Sequence, residues 1–311
     1  MRSLTLAYRD PDRLPFIFCL REMARRHYDV DVVVTRPTDS AAYEAALFDG
    51  TCDVIIEHLE YLYAEARRGN AATMFCAPVL GTSVELVVHP EVDALHQLNG
   101  AKIAVRGAGR PEGVAIRLRA MGLEDAATVS VGDADVGRWG LWKKVVSGEC
   151  RAAFVSPLYL AEAEHAGLKV MTTPDIAIVG QFAQACTTEL ASNDALIEDY
   201  VRAVIHAICL VKYRREEALE IVLRGSADLA MRGGLDAGMQ LDVLGRALST
   251  VPYPPPEAIA NTYRVACVQY PSAAGLDPLT LWDPRWVTRL DDSGFIAAIT
   301  GEMSTARERR P

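Results

Sequence analysis

Leu47-Phe48-Asp49-Gly50-Thr51-Cys52-Asp53-Val54 is the stretch on which the fold turns. It reads as the end of an amphipathic helix, a glycine to reverse the chain, and an acidic residue leading into a short apolar strand. Working outward, the same alternation repeats. Strands are predicted over 4–8, 30–35 and 53–56, with helices over 15–27, 41–48 and 59–68 between and after them. In the first helix Phe16, Leu20, Met23 and Ala24 share a face. Gly69 suits the left-handed position that closes the third helix. Short apolar runs alternating with amphipathic stretches indicate βαβ units and a mainly parallel sheet.

A second unit of the same kind follows Gly81-Thr82-Ser83. It has predicted strands over 84–88, 102–105, 128–131 and 152–155, with helices over 111–121 and 141–146. The chain then passes through an extended segment over 180–187 into a long helix over 195–213, and the remainder is helical, punctuated by Pro252-Tyr253-Pro254-Pro255-Pro256. The resulting organisation is a discontinuous first lobe, 1–83 and 187–311, interrupted by an inserted α/β lobe, 84–186, with two chain crossings that form a hinge. At 311 residues the chain exceeds the usual size of a single core.

Composition narrows the function classes. A net charge of -9 with dispersed Lys and Arg excludes the clustered basic surface that nucleic-acid binding needs. Seven widely spaced cysteines without a C-x-x-C pair read as small buried residues rather than a disulfide framework or thiolate metal site. The scattered histidines form no H-x-x-x-H pattern, so neither metal nor cofactor is expected. The opening Met-Arg-Ser-Leu-Thr-Leu-Ala-Tyr runs into a strand without an apolar leader core, and no run is long enough to span a bilayer. A cytoplasmic location without membrane insertion is therefore expected, with a homodimer as one assembly.

Four segments, in order, carry a family resemblance: Leu47 to Val54; Ala66-Arg67-Arg68-Gly69; Leu98-Asn99-Gly100-Ala101-Lys102-Ile103-Ala104-Val105; and Tyr200-Val201-Arg202-Ala203-Val204. They resemble the type II periplasmic-binding-protein branch that includes alkanesulfonate, taurine and nitrate receptors and the pyrimidine synthase of yeast thiamine biosynthesis. The resemblance implies an α/β fold of two lobes with a two-crossing hinge and a helical C-terminal region, closing on one small organic anion. Asp10-Pro11-Asp12-Arg13-Leu14-Pro15 and Gly275-Leu276-Asp277 through Trp282-Asp283-Pro284 are similar to segments of 4,5-dihydroxyphthalate decarboxylases, enzymes built on this fold. The chain departs from them at Ile56, where they carry a Glu, and lacks their tyrosine-rich later segment. His58 and Arg68 are similar to a His and Arg of the biphenyl-sulfinate desulfinase, but its nucleophilic Cys has no counterpart in the Tyr8-Arg9-Asp10-Pro11 loop.

The candidate site residues come from loops after strands. Arg9, Asp10 and Arg13 follow the first strand, where an arginine can grip a carboxylate or sulfonate bidentately; the alternative is a solvated collar with Asp12 capping the helix. Glu57 and His58, with Tyr61 a turn further on, form a candidate base pair for proton transfer, or else a helix cap and a backbone contact. Arg106, Gly107, Gly109 and Arg110 join a strand to a helix beginning with Pro111, either an anion cradle or a plain tight turn. Thr82, Ser83, Ser156 and Gln181 complete the polar set, and Trp139 and Trp142 could stack on an aromatic ligand or pack in the core. Two functions follow. The first is a cytosolic decarboxylase or related lyase acting on a small aromatic or heterocyclic carboxylate, with Arg9, Arg13 or Arg110 holding the acid group and Glu57 and His58 moving protons. The alternative is a non-catalytic substrate-binding protein of an ABC importer for a sulfonate, carboxylate or pyrimidine.

Overall fold

The structure is a computed structural model of the chain, and it describes residues 1–57, 59–81, 84–106, 112–131, 140–180, 182–228 and 237–305. The chain divides into two compact units, Met1–Leu80 with Ile178–Pro311, and Gly81–Ala177. The first contains strands β1 (Arg2–Tyr8), β2 (Val30–Thr35), β3 (Val54–Glu57) and β4 (Ala72–Cys76), and the second β5 (Glu85–Val88), β6 (Lys102–Arg106), β7 (Ala127–Val131), β8 (Ala152–Val155) and β9 (Lys169–Met171); β10 (Ala183–Thr187) returns to the first.

The first sheet has the order β2-β1-β3-β10-β4, with β1, β2 and β3 mutually parallel and β10 running antiparallel between β3 and β4. The opening octapeptide explains part of that order. Gly50 takes the left-handed backbone conformation (φ 78°) that lets the chain turn back. Asp53 then clamps β1 twice: its N–H donates to the Thr5 carbonyl at 2.8 Å, and its Oδ2 accepts the Thr5 N–H at 2.7 Å. The short strand that follows, Val54–Glu57, is buried throughout, as a strand covered on both faces must be.

One face of this sheet carries the main core. Leu4 and Leu6 of β1 and Val54 and Ile56 of β3 meet Phe16, Leu20 and Met23 of the Leu14–Tyr28 helix and Ile197, Val201, Val204 and Ile208 of the Asp194–Tyr213 helix. The first of these helices tolerates Pro15 because its N–H would be unpaired in the first turn anyway, and it ends at Asp29 in the left-handed conformation. Gly69 ends the Tyr61–Arg67 helix with φ 93°, as its position predicts. The C-terminal region is helical, with Pro256–Gln269 starting behind Pro255 and Trp286 buried against the Phe75 ring. No helix among the described residues is long and apolar enough to cross a membrane. All seven cysteines are free thiols, buried except for the half-buried Cys267.

The second sheet has the order β7-β6-β8-β5-β9, with β5 antiparallel to both neighbours. Strand pleating sends alternate residues to two separate cores. Leu86, Ile103, Val105 and Phe154 face Leu118 and Leu123, whereas Val87, Ala104 and Val155 face Leu141 and Val145.

Three features depart from the sequence reading. Residues 178–180 and 182–186, expected in the inserted lobe, belong to the first unit, because β10 makes its ladder bonds to β3 and β4. β4 was not anticipated: Ala72–Cys76 is a largely buried run without alternation at one edge of the sheet, and its register is set by β10, far along the chain. β9 was missed because it is a three-residue edge strand with little burial.

Candidate functional site

Ligands of open α/β sheets bind beyond the carboxyl ends of parallel strands, so the residues that follow β1, β2, β3, β6 and β8 matter most. After β1, Asp10 rather than Asp12 supplies the cap, its Oδ1 accepting the Asp12 N–H at 3.1 Å to hold the turn Pro11–Arg13. That turn sends Arg13 inward. Its guanidinium donates from Nε at 3.1 Å and from Nη2 at 2.8 Å to Oε1 of Glu57, while Oε2 of Glu57 accepts the Asp10 N–H at 3.1 Å. The Arg13 guanidinium also lies 4.9 Å from the centre of the Phe182 ring, which meets Phe16 edge-on.

This arrangement is closed. Both Glu57 oxygens are occupied and the Arg13 charge is matched, in surroundings from which water is excluded. The pair fastens the loop after β1 to the end of β3. Arg13, expected to hold a ligand, and Glu57, expected to move a proton, are thus paired with each other.

Arg9 differs. It is exposed, its carbonyl accepts a hydrogen bond from Arg36 Nε at 3.2 Å, and its own guanidinium forms no ion pair among the described residues. Its charge reaches the phenols of Tyr43 and Tyr270, opposing the upward shift that burial imposes on both. Tyr61 is buried. Its ring meets Tyr43 edge-on at 6.2 Å, and the hydroxyls of both tyrosines are buried without a hydrogen-bond partner among the described residues. Tyr43 is a residue the sequence reading missed; its helix, Ser40–Ala45, follows β2 and is capped by Asp39 through the Ala42 N–H at 2.9 Å. Tyr270 donates to Glu44 Oε1 at 2.9 Å and completes the group.

In the second unit Arg106 closes β6 and is itself engaged. Ser156 follows β8 and caps the turn Pro157–Tyr159, its Oγ accepting the Leu158 N–H at 3.4 Å. Trp142 packs at the margin of a core, with Lys143 Nζ 5.6 Å from its ring centre. The group that stands out is Arg117, on the Glu112–Ala120 helix. Its guanidinium is buried, donates from Nη1 to the Val84 carbonyl at 2.6 Å, and lies 5.7 Å from the Phe154 ring centre. An arginine in the middle of an amphipathic helix gave no sequence signal for this. His58, Thr82, Ser83, Gly107, Gly109, Arg110, Trp139 and Gln181 lie outside the described residues. Among the described residues no cluster of His, Cys, Asp and Glu groups is arranged to hold a metal.

A cavity of about 620 Å³ beside the Asp194–Tyr213 helix includes none of these strand-end groups. Two of its cations are already engaged: Lys212 by the carbonyls of Gly245 and Leu248, and Arg215 by Asp242.

No family model matches the sequence. Among curated proteins nothing matches either. Solved structures do. The periplasmic aliphatic sulphonate binding protein SsuA from Escherichia coli superposes with a TM-score of 0.64 at 16% identity, over 91% of this chain and 93% of its own. The chain has the fold of a type II periplasmic binding protein. A putative periplasmic sulfonate-binding protein SsuA from Methylobacillus flagellatus KT gives 0.63 at 16% identity, covering 94% of this chain and 95% of its own. A Candida albicans protein described as having the generic periplasmic binding protein structural fold gives 0.55 at 14% identity, with coverage of 94% and 95%. At such identities the likeness concerns the fold alone, and what this chain does has to be argued from its own residues.

Proposed function

We propose that this binding-protein-fold chain holds one small organic anion, a sulfonate or a carboxylate, at the carboxyl ends of its parallel strands and does not turn it over. The observation that carries the reading is the charge balance after β1 and β3. Glu57 is neutralised by Arg13, whereas the neighbouring Arg9 is exposed and unpaired among the described residues. Arg9 is thus a cation at that edge with no ion-pair partner among the described residues, and a guanidinium presents parallel N–H donors suited to two acid oxygens. The sulfonate-binding proteins of like fold support the ligand class. In that role the chain would deliver its anion to a membrane permease, as the ligand-binding component of an importer does.

The lyase reading needs Glu57 as a base, yet both its oxygens already accept hydrogen bonds, and a proton acceptor so engaged is a poor one. Thermal melting with ethanesulfonate, taurine, benzoate and phthalate tests the proposal. A ligand at about a hundred times its Kd adds roughly 2.7 kcal/mol, which raises the melting temperature by several degrees. Proton NMR of the stabilising anion after prolonged incubation is expected to show it unchanged. If no anion stabilises the protein, the reading fails; if the anion is converted to product, the lyase replaces it.

A further inference from the structure

We propose that Arg117 is the anion-receiving residue of the second unit, its free Nε–Nη2 edge taking two oxygens of the ligand's sulfonate or carboxylate. This rests on the reading of the chain as a binder of small organic anions. A buried guanidinium ordinarily has a carboxylate within ion-pair distance, because an uncompensated charge away from water is strongly disfavoured. Arg117 is only 7% exposed and has no such partner among the described residues. Nη1 is used on the Val84 carbonyl, Nε is buried with no partner, and Nη2 makes no hydrogen bond among the described residues. Glu85 and Asp175 are near enough to favour the charge, but burial still pulls the guanidinium pKa down.

Its position fits the role. Val84 immediately precedes β5, whose first residue, Glu85, stands opposite Val155 at the carboxyl end of β8. The unpartnered edge of Arg117 is therefore held near the end of the second sheet where ligands of such sheets bind. Phe154 beneath the guanidinium and the Val84 carbonyl fix its plane without neutralising it. The Nε–Nη2 edge has the two parallel donors that match the oxygen spacing of a carboxylate or sulfonate.

The test uses the full chain, with ethanesulfonate and inorganic sulfate as probes, each at low millimolar concentration against chloride of equal ionic strength. Arg117→Met is expected to melt at or above the wild-type temperature without probe, since a buried unpaired charge has been removed, and to bind both probes at least about tenfold more weakly, the loss of one charge-assisted contact. Arg117→Lys, which keeps a charge but not the fork, is expected to fall between. If Arg117→Met fails to fold, melts several degrees lower, or keeps the wild-type response to both probes, Arg117 is a packing residue and the inference is wrong. A wild-type protein that responds to sulfate through Arg117 but to no organic anion would overturn the proposed function and leave the anion site standing. A wild-type protein that responds to neither probe overturns the assignment of Arg117.

Discussion

The two sheets follow one plan, and among the described residues each unit buries one arginine, with opposite electrical outcomes. In β2-β1-β3-β10-β4 and in β7-β6-β8-β5-β9 a central strand has parallel neighbours on both sides, and an antiparallel strand next to a chain crossing is inserted before the last. Arg13 stands over Phe182 in the first unit and Arg117 over Phe154 in the second, 5% and 7% exposed. Arg13 has Glu57 against it at 2.8 Å; Arg117 has a backbone carbonyl. The cost of burying a charge is thus met within the first unit and left open in the second. Two arginines that look alike in burial and in aromatic contact differ in what they are free to do.

The largest expected effect comes from breaking the closed pair. Arg13→Met leaves Glu57 buried and uncompensated, and urea unfolding is expected to show a loss of about 3–5 kcal/mol. Combining it with Glu57→Leu is expected to recover most of that loss, because the pair is then replaced by apolar groups. If Arg13→Met is tolerated like the expected Arg117→Met, the contrast between the two arginines disappears.

A second effect concerns the opposite end of the first unit. His206 is buried beside the His27 ring, 4.5 Å between centres, and its Nδ1 is 3.0 Å from the Tyr28 hydroxyl. Burial, reinforced by His27, brings its pKa down from 6.5 to about 4. The unfolded chain therefore takes up this proton before the folded one. The stabilisation is fully present above about pH 6.5 and is lost as the pH falls toward 4. His206→Gln, which still offers Tyr28 a partner, is expected to flatten the melting-temperature profile across that window; an unchanged slope would assign the acid sensitivity elsewhere.

The smallest effects belong to the two buried phenols. Tyr43→Phe and Tyr61→Phe each remove a hydroxyl that has no partner among the described residues, so stability should stay level or rise by about 1 kcal/mol. A clear drop in either melting curve would mean that the hydroxyl is satisfied in solution, for instance by a bound water.

Much of this architecture was legible in the chain because it rests on local rules. Glycine before a reversal, apolar runs of strand length and 3.6-residue periodicity predicted a strand over 30–35 and another over 152–155, where β2 and β8 lie. Partners distant in sequence were not legible. Arg13 and Glu57 are 44 residues apart, and which of them would turn inward depended on the cap that Asp10, not Asp12, provides. Arg117 sits mid-helix, where an arginine reads as a solvated face; only its approach to Val84, 33 residues away, shows otherwise. β4 and the true limits of the inserted unit were obscured for the same reason, since both are defined by ladder bonds to β10.

The most direct test of the proposed anion binding is calorimetric titration of the wild-type chain with matched pairs, ethanesulfonate against ethanesulfonamide and benzoate against benzamide. Each pair keeps shape and removes charge. The account predicts saturable binding of at least one anion at one per chain, with its neutral amide weaker by about tenfold or more. Equal affinity for an anion and its amide, or binding of the amides alone, would contradict it.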